Sequence, residues 1–213
     1  MQSEKPCEFT IALADGIHPH DADAAQFEGG SWQSNALIIF IHRWLFRQVA
    51  MSRRVHIVGR KNSGKTTLVC ELVREFNGRG LKVATVKHTH HSHELDMPGK
   101  DSHKHRQAGA AGVGILSPHM TAIFIPAERE ERGEHRYEQF ESQFDDCDLI
   151  LVEGDLQTTA PRFEVWRAAV TEKPYAADDV AIQAVISDNP VNGISCGVLA
   201  RADVSNIADR ILQ

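Results

Sequence analysis

Residues Gly59-Arg60-Lys61-Asn62-Ser63-Gly64-Lys65-Thr66 fit the pattern G-x-x-x-x-G-K-[ST] in full. Each fixed position has a chemical reason. Gly59 and Gly64 permit backbone conformations that a side chain would block. Successive amide N–H groups, from Asn62 and Ser63 through to Thr67, can then turn inward on phosphate oxygens. A helix opening near Lys65 adds its positive end. Lys65 brings a charge to the β- and γ-phosphates, and the Thr66 hydroxyl is placed to ligate Mg²⁺. The pattern follows an apolar run, Val55–Val58, and precedes an amphipathic one, which is the strand–loop–helix setting such a cradle requires.

A Mg²⁺–nucleotide site needs an acid opposite the loop. The segment Asp148-Leu149-Ile150-Leu151-Val152-Glu153-Gly154 carries one at each end of an apolar strand. Glu153 falls at the C-terminal end, where parallel sheets bind ligands. Asp148 lies about 16 Å away by strand rise, so a straight strand does not let both share a metal. Glu153 is therefore the expected metal-side carboxylate, acting through a water. Asp155 is a second choice, and Asp148 reads as a solvated strand entry.

A histidine-rich segment, Lys87-His88-Thr89-His90-His91-Ser92-His93, runs on to Asp96, Lys100, Asp101, Ser102, His103 and His105. Its spacing does not fit a structural zinc site and no cysteine is near. It leaves the second strand on the sheet edge that carries the cradle. Lys87 and Lys100 can there neutralise phosphate, and Asp96 or Asp101 can touch Mg²⁺ or orient water. The plainer alternative is a solvated loop in which Asp101 caps the next helix.

These residues need elements to hold them. Leu68, Val69, Leu72, Val73 and Phe76 recur at helical spacing, and Gly78 and Gly80 can end that helix. Leu81–Val86 reads as a second strand and Asp101–Ala111 as a helix. Val113–Leu116 and Thr121–Ile125 are apolar runs, and Glu134–Phe144 a polar helix. Leu149–Val152 is a continuous apolar strand, followed by strands at Phe163–Ala169 and Ala181–Ile186. Asp203 can cap a last helix that turns Val204, Ile207, Ala208, Ile211 and Leu212 inward. Strands alternating with helices predict an α/β fold of P-loop NTPase type, with a mostly parallel sheet flanked by helices.

Two parts are expected along the chain. Residues 1–50 read as an N-terminal extension, partly disordered, with a short amphipathic helix that places Leu37, Ile38, Ile41, Trp44, Leu45 and Val49 on one side. Residues 51–213 read as the nucleotide-binding domain. The net charge of −6 argues against broad nucleic-acid binding. The early apolar stretch Ala36–Ile41 is too short to span a bilayer, and residues 1–30 hold no signal-like apolar region. The cysteines Cys7, Cys70, Cys147 and Cys196 form no C-x-x-C pair. Cys70 and Cys147 are expected to be buried free thiols, which suits a reducing compartment, and the chain is expected to be cytoplasmic.

Several of these motifs recur together in one family. GRKNSGKTT at Gly59–Thr67, VKHTHH at Val86–His91, PGKDSHKHRQAG at Pro98–Gly109, LVEG at Leu151–Gly154, PRFEVWR at Pro161–Arg167 and the pair Ser187-Asp188 occur in this order. Over about residues 53–213 the chain closely resembles the molybdopterin-guanine dinucleotide biosynthesis protein B (MobB) family. The family often has an aromatic residue after the Glu-Gly pair, where this chain has Asp155, and residues 1–50 match nothing in its pattern. The resemblance implies a homodimeric GTP-binding protein with Mg²⁺ and weak GTPase activity. It implies a role beside a MobA-like guanylyltransferase, which joins GMP to molybdopterin to make the molybdenum guanine dinucleotide cofactor. By position it places Gly64, Lys65 and Thr66 on phosphate and Mg²⁺, and Lys87, His88, Asp96 and Lys100 in a switch-like loop. Glu153 falls on the metal side, so that Lys65, Glu153 and Asp96 are the expected catalytic set.

The base is less well marked, since no N-K-x-D motif is present. Asp188, at the end of strand Ala181–Ile186, can accept from the guanine N1 and N2 hydrogens, or it is simply a turn aspartate before Asn189-Pro190. No glutamine at a switch-like spacing follows Glu153 except Gln157, so hydrolysis is expected to be slow. A small-molecule kinase is the alternative. It needs arginines in a lid, for which Arg129, Arg132 and Arg136 are available, although the acids around them suit an ion-paired helix. A third reading is a non-enzymatic adaptor whose nucleotide state gates partner binding.

Overall fold

The computed structural model describes residues 54–89, 94–126 and 133–213. The expected extension, with its helix near 37–49, and the boundary near residue 50 lie outside the described residues.

Strands β1 (Arg54–Val58), β2 (Val83–Lys87), β5 (Leu149–Glu153), β6 (Arg162–Val165), β7 (Ile182–Ile186) and β8 (Gly197–Leu199) form one sheet in the order β2-β5-β1-β6-β7-β8. Every pairing in it is parallel. The two central strands explain their sequences. β1 is buried along its whole length and β5 over all but its last residue, so apolar residues point to both faces. The register sets Ile57 beside Glu153 on one side and beside Phe163 on the other.

Helix α1 (Lys65–Gly78) follows β1 directly and buries Leu68, Val69, Leu72 and Phe76. With α4 (Val204–Ile211) it covers one face of the sheet, over Val55, Ile57, Leu151, Phe163 and Ile186. Asp203 caps α4 as expected, its Oδ1 accepting from Asn206 N at 3.1 Å. On the other face α3 (Glu138–Gln143) and a 3₁₀ turn (Glu134–Tyr137) bring Tyr137, Phe140 and Phe144 against Val86, Ile150 and Val152. Further along that face Trp166, Ala176, Ile182 and Val185 form a smaller cluster. The result is the α/β sheet with flanking helices that the sequence predicts.

Several boundaries move. The helix expected over 101–111 is α2 (Asp101–Gln107), ended before Gly109, whose φ is +95°. The apolar runs at 113–125 do not join the sheet. They pair with each other as an antiparallel hairpin, β3 (Val113–Leu116) and β4 (Thr121–Phe124). The polar helix expected over 134–144 begins as the 3₁₀ turn. Strand β6 stops at Val165, because the chain bends away to make the Tyr175–Ala177 turn. Cys70 is exposed instead of buried: α1 turns positions 68, 69, 72 and 76 to the sheet, and position 70 faces away from them. Cys147 is half-buried beside Phe140 and Phe144. Cys70, Cys147 and Cys196 are free thiols.

Candidate functional site

The loop between β1 and α1 is the most constrained backbone in the fold. Asn62 has φ +65° and Gly64 φ +98°, a left-handed arrangement that turns consecutive N–H groups to one side. Gly59 is required by space as well, since a Cβ there would lie 2.4 Å from the Val165 carbonyl oxygen. Ser63 is buried behind the loop, and its N–H donates to Arg60 O at 3.2 Å. Asn62 and Thr67 are exposed at its rim.

The Lys65 ammonium donates to Arg60 O at 2.7 Å, folded back on the cradle's own carbonyl. Burial lowers its pKa, Glu153 opposes that shift, and Lys87 adds to it. Lys65, Lys87 and Glu153 are therefore close enough to act on one another. Thr66 Oγ1 donates to Glu153 Oε1 at 2.8 Å. Two oxygens bound to one Mg²⁺ at right angles stand about 3.0 Å apart, given metal–oxygen bonds near 2.1 Å. The hydroxyl and carboxylate thus already have the spacing and the hard oxygen chemistry that this ion takes. The positive cradle and this oxygen pair fit a Mg²⁺–polyphosphate.

The other expected acids go elsewhere. Asp148 sits at the entry of β5, and its Oδ2 accepts from Lys82 N at 2.7 Å. Asp155, at φ +63°, accepts from Tyr137 Oη at 2.6 Å and from Gln157 N at 2.9 Å. Asp96 is buried, and its Oδ1 takes Met97 N at 2.7 Å and Ser102 Oγ at 3.0 Å. These bonds are local to the segment before α2, so the structure does not bring Asp96 to Lys65 and Glu153. Lys100 N closes the turn ahead of α2 on Met97 O at 3.2 Å. Asp101 opens α2 without a capping bond from its side chain; Lys104 pairs with it at 3.3 Å. His88 receives a bond from Arg136 Nη1 at 3.3 Å, and its own N–H donates to Glu153 O at 2.9 Å. Arg129, Arg132, His90, His91 and His93 lie outside the described residues. Among the described residues no three His, Cys, Asp or Glu side chains gather for a metal.

Two groups of residues had no sequence signal strong enough to find them. One lies under the Glu153-Gly154-Asp155 turn. His56 is fully buried, donates from Nδ1 to Gly154 O at 3.0 Å, and meets the Tyr137 ring edge to face at 5.1 Å. The Arg54 guanidinium lies 4.1 Å from the centre of the same ring and pairs with Glu134 and Glu141. The second supports the cradle. Buried Glu164 on β6 accepts from Tyr175 N at 2.7 Å and Ala176 N at 2.9 Å, which seats the Tyr175 ring 4.6 Å from the Arg60 guanidinium.

On the far side of the cradle a cavity of about 440 Å³ continues from Ser63, Gly64 and Thr67 to Asp188 and Ala202. Its end is thus formed by the loops that leave β7 and β8. Asp188, the expected base contact, is exposed and its Oδ1 accepts from Ala202 N at 3.3 Å.

A parallel sheet whose first strand feeds such a cradle, with an acid on the neighbouring strand against the cradle threonine, defines the P-loop NTPase class of α/β protein. Residues 54–188 match the family described as molybdopterin guanine dinucleotide synthesis protein B, and the chain belongs to that family, MobB. It is 32% identical over 152 residues to the molybdopterin-guanine dinucleotide biosynthesis adapter protein of Escherichia coli K12, covering 71% of this chain and 86% of that one. The adapter protein of Haemophilus influenzae is 31% identical over 150 residues, with 69% and 83% covered. A crystal structure of molybdopterin-guanine biosynthesis protein B superposes with a TM-score of 0.57 at 31% identity, over 75% of this chain and 97% of its own. The MobB homologue from Bacillus stearothermophilus shares the fold, with a TM-score of 0.53 at 22% identity over 75% of this chain and 98% of its own. Among the described residues no helix is long and apolar enough to cross a membrane.

Proposed function

We propose that this chain is a GTP-binding accessory protein in molybdopterin guanine dinucleotide biosynthesis, assisting a MobA-like guanylyltransferase in the cytoplasm. The observation that carries the nucleotide reading is the Thr66–Glu153 contact beside the complete cradle. Lys65 would leave Arg60 O for the β- and γ-phosphates, with Lys87 adding charge at their outer side. Thr66 would hold Mg²⁺ and Glu153 would hold it directly or through a water. Asp188 would meet the base.

The same geometry supports slow hydrolysis. Attack on the γ-phosphate needs a group that orients water. Asp96 and Asp155 are held by their own neighbours, and Gln157 is exposed on the loop beyond Asp155. A partner is then the natural source of a missing group, which fits the adapter description carried by the E. coli relative. The molecule is proposed to act as a homodimer, through apolar residues that the hairpin leaves exposed.

The test is calorimetric titration of the full chain with Mg²⁺–GTP and Mg²⁺–ATP, beside Lys65→Ala. GTP binding that the substitution weakens by about 100-fold or more supports the reading, a loss in keeping with charge-assisted hydrogen bonds to phosphate. Unchanged binding in Lys65→Ala would sink it. Release of phosphate without a phosphorylated small molecule separates a GTPase from a kinase. Added protein that leaves GMP transfer by the guanylyltransferase unaltered would count against the accessory role.

A further inference from the structure

The cavity beyond the cradle ends in a paired acceptor and donor. The Asp188 carboxylate, after β7, and the Ala202 N–H, after β8, already bond to each other at 3.3 Å. Their placement follows from the sheet. β7 and β8 are parallel neighbours, with Ser187 N donating to Leu199 O at 2.9 Å, so their two exit loops emerge side by side. The second loop is fixed twice more. Asp203 N donates to Ala200 O at 3.1 Å, and Arg201 Nη1 reaches Glu71 Oε2 on α1 at 2.6 Å. That ion pair ties the loop to the helix whose first turn holds Lys65 and Thr66.

Resting on the nucleotide reading above, we infer that the β8–α4 loop, locked to α1 by Arg201–Glu71, completes a guanine-reading edge in which Asp188 accepts and Ala202 N–H donates. The Watson–Crick edge of guanine presents two donors, N1–H and the 2-amino group, beside one acceptor, O6. Adenine presents the reverse order, a donor at N6 and an acceptor at N1. A carboxylate beside an N–H matches the first and opposes the second. Before ligand arrives the two groups satisfy each other, and the base replaces that bond with one partner for each. Arg201 is here a positioning residue, acting through the backbone of its neighbour. Its side chain is committed to Glu71.

The experiment uses the full chain with Mg²⁺ and four triphosphates, those of guanosine, inosine, xanthosine and adenosine. Inorganic tripolyphosphate serves as a probe of the cradle alone. The expected order is guanosine over inosine, which lacks the 2-amino donor, over adenosine. Asp188→Asn is expected to weaken GTP by about 10- to 100-fold and to strengthen xanthosine triphosphate above it, because the amide N–H₂ then faces the xanthine O2. Arg201→Ala is expected to weaken GTP by about tenfold with tripolyphosphate binding unchanged, and Arg201→Lys to recover most of the loss. Equal binding of GTP and ATP by the wild type, with tripolyphosphate still bound, would overturn the guanine edge and leave the phosphate site standing. So would Asp188→Asn with unchanged GTP affinity. A chain that binds neither nucleotide nor tripolyphosphate would overturn both.

Discussion

The ring of His56 is fully buried at the centre of β1, with Nδ1–H on the Gly154 carbonyl. Its Nε2 is buried with no partner among the described residues, so a proton there would put an unsolvated charge against the Tyr137 ring. Burial accordingly lowers the His56 pKa from 6.5 to about 4; the bond to Gly154 O pulls it up and nearby Arg54 pushes it further down. The consequence for stability has a definite sign. Above pH 6.5 the imidazole is neutral folded and unfolded, and contributes no pH dependence. Between pH 6.5 and about 4 the unfolded chain takes up a proton that the folded chain refuses, so stability falls as pH falls. The full loss is about 3 kcal/mol, complete near pH 4. His56→Phe keeps the packing and removes the titration, at a cost of about 1 kcal/mol at pH 7.5 for the lost hydrogen bond. Urea unfolding of both proteins from pH 7.5 to 4.5 checks this. The stability difference between them is expected to shrink and change sign on acidification, and parallel curves would show that His56 is not the group responsible.

At the scale of elements, the loop from β6 to β7 is held by a buried acid. Glu164 is fully enclosed and spends both oxygens on the N–H groups of Tyr175 and Ala176. Burial raises its pKa, and those two bonds pull it part of the way back. Glu164→Gln turns one acceptor into a donor facing a donor, which is expected to cost about 2–4 kcal/mol by urea unfolding. Because Tyr175 carries Arg60, the cradle should loosen too, and GTP affinity should fall together with stability. A variant that loses stability but keeps full affinity would show that the cradle stands without this support. The acid was visible in the sequence as part of an apolar run, but nothing in a run tells which backbone a buried carboxylate will meet. The same limit governs the rest. β1, α1, β5 and the Gly59–Thr66 loop were legible because their patterns are local: continuous burial, helical period, glycines at fixed spacing. β8 was not, since three edge residues, two of them exposed, carry no period. Glu153 was legible from its place at a strand end. The Tyr137–Asp155 bond and the Ala202–Asp188 bond were not, because each joins segments that only the sheet order brings together.

Across the whole molecule, the loops that leave the C-terminal ends of β1, β5, β7 and β8 carry the site, as parallel sheets dispose them. The β3–β4 hairpin stands apart from that arrangement and is bonded to no other strand. Its register places Gly114 beside Ile123 and Leu116 beside Thr121 on one face, with Ile115 beside Ala122 on the other. Leu116 is 85% exposed, Ile123 56% and Met120 73%, and Ile125 just beyond is 65% exposed. A two-stranded ribbon is marginal by itself in water, and one with apolar residues open on both faces gains most by being covered. A second copy of the chain supplies an apolar surface of the same kind, and a self-complementary pairing about a two-fold axis closes without exposing it again. A stable contact of this type buries about 800 Å² on each partner, so the hairpin would contribute the apolar centre and its neighbours the rim. Leu116→Asp with Ile123→Asp places two like charges at that centre. Both side chains are exposed in the single chain, so helix content by circular dichroism should stay the same while the dimer separates. Sedimentation equilibrium is the measurement: the wild type is expected to be dimeric at micromolar concentration, and the double variant monomeric at concentrations at least 100-fold higher. A wild type that sediments as a monomer at tens of micromolar would remove the homodimer from the proposed function.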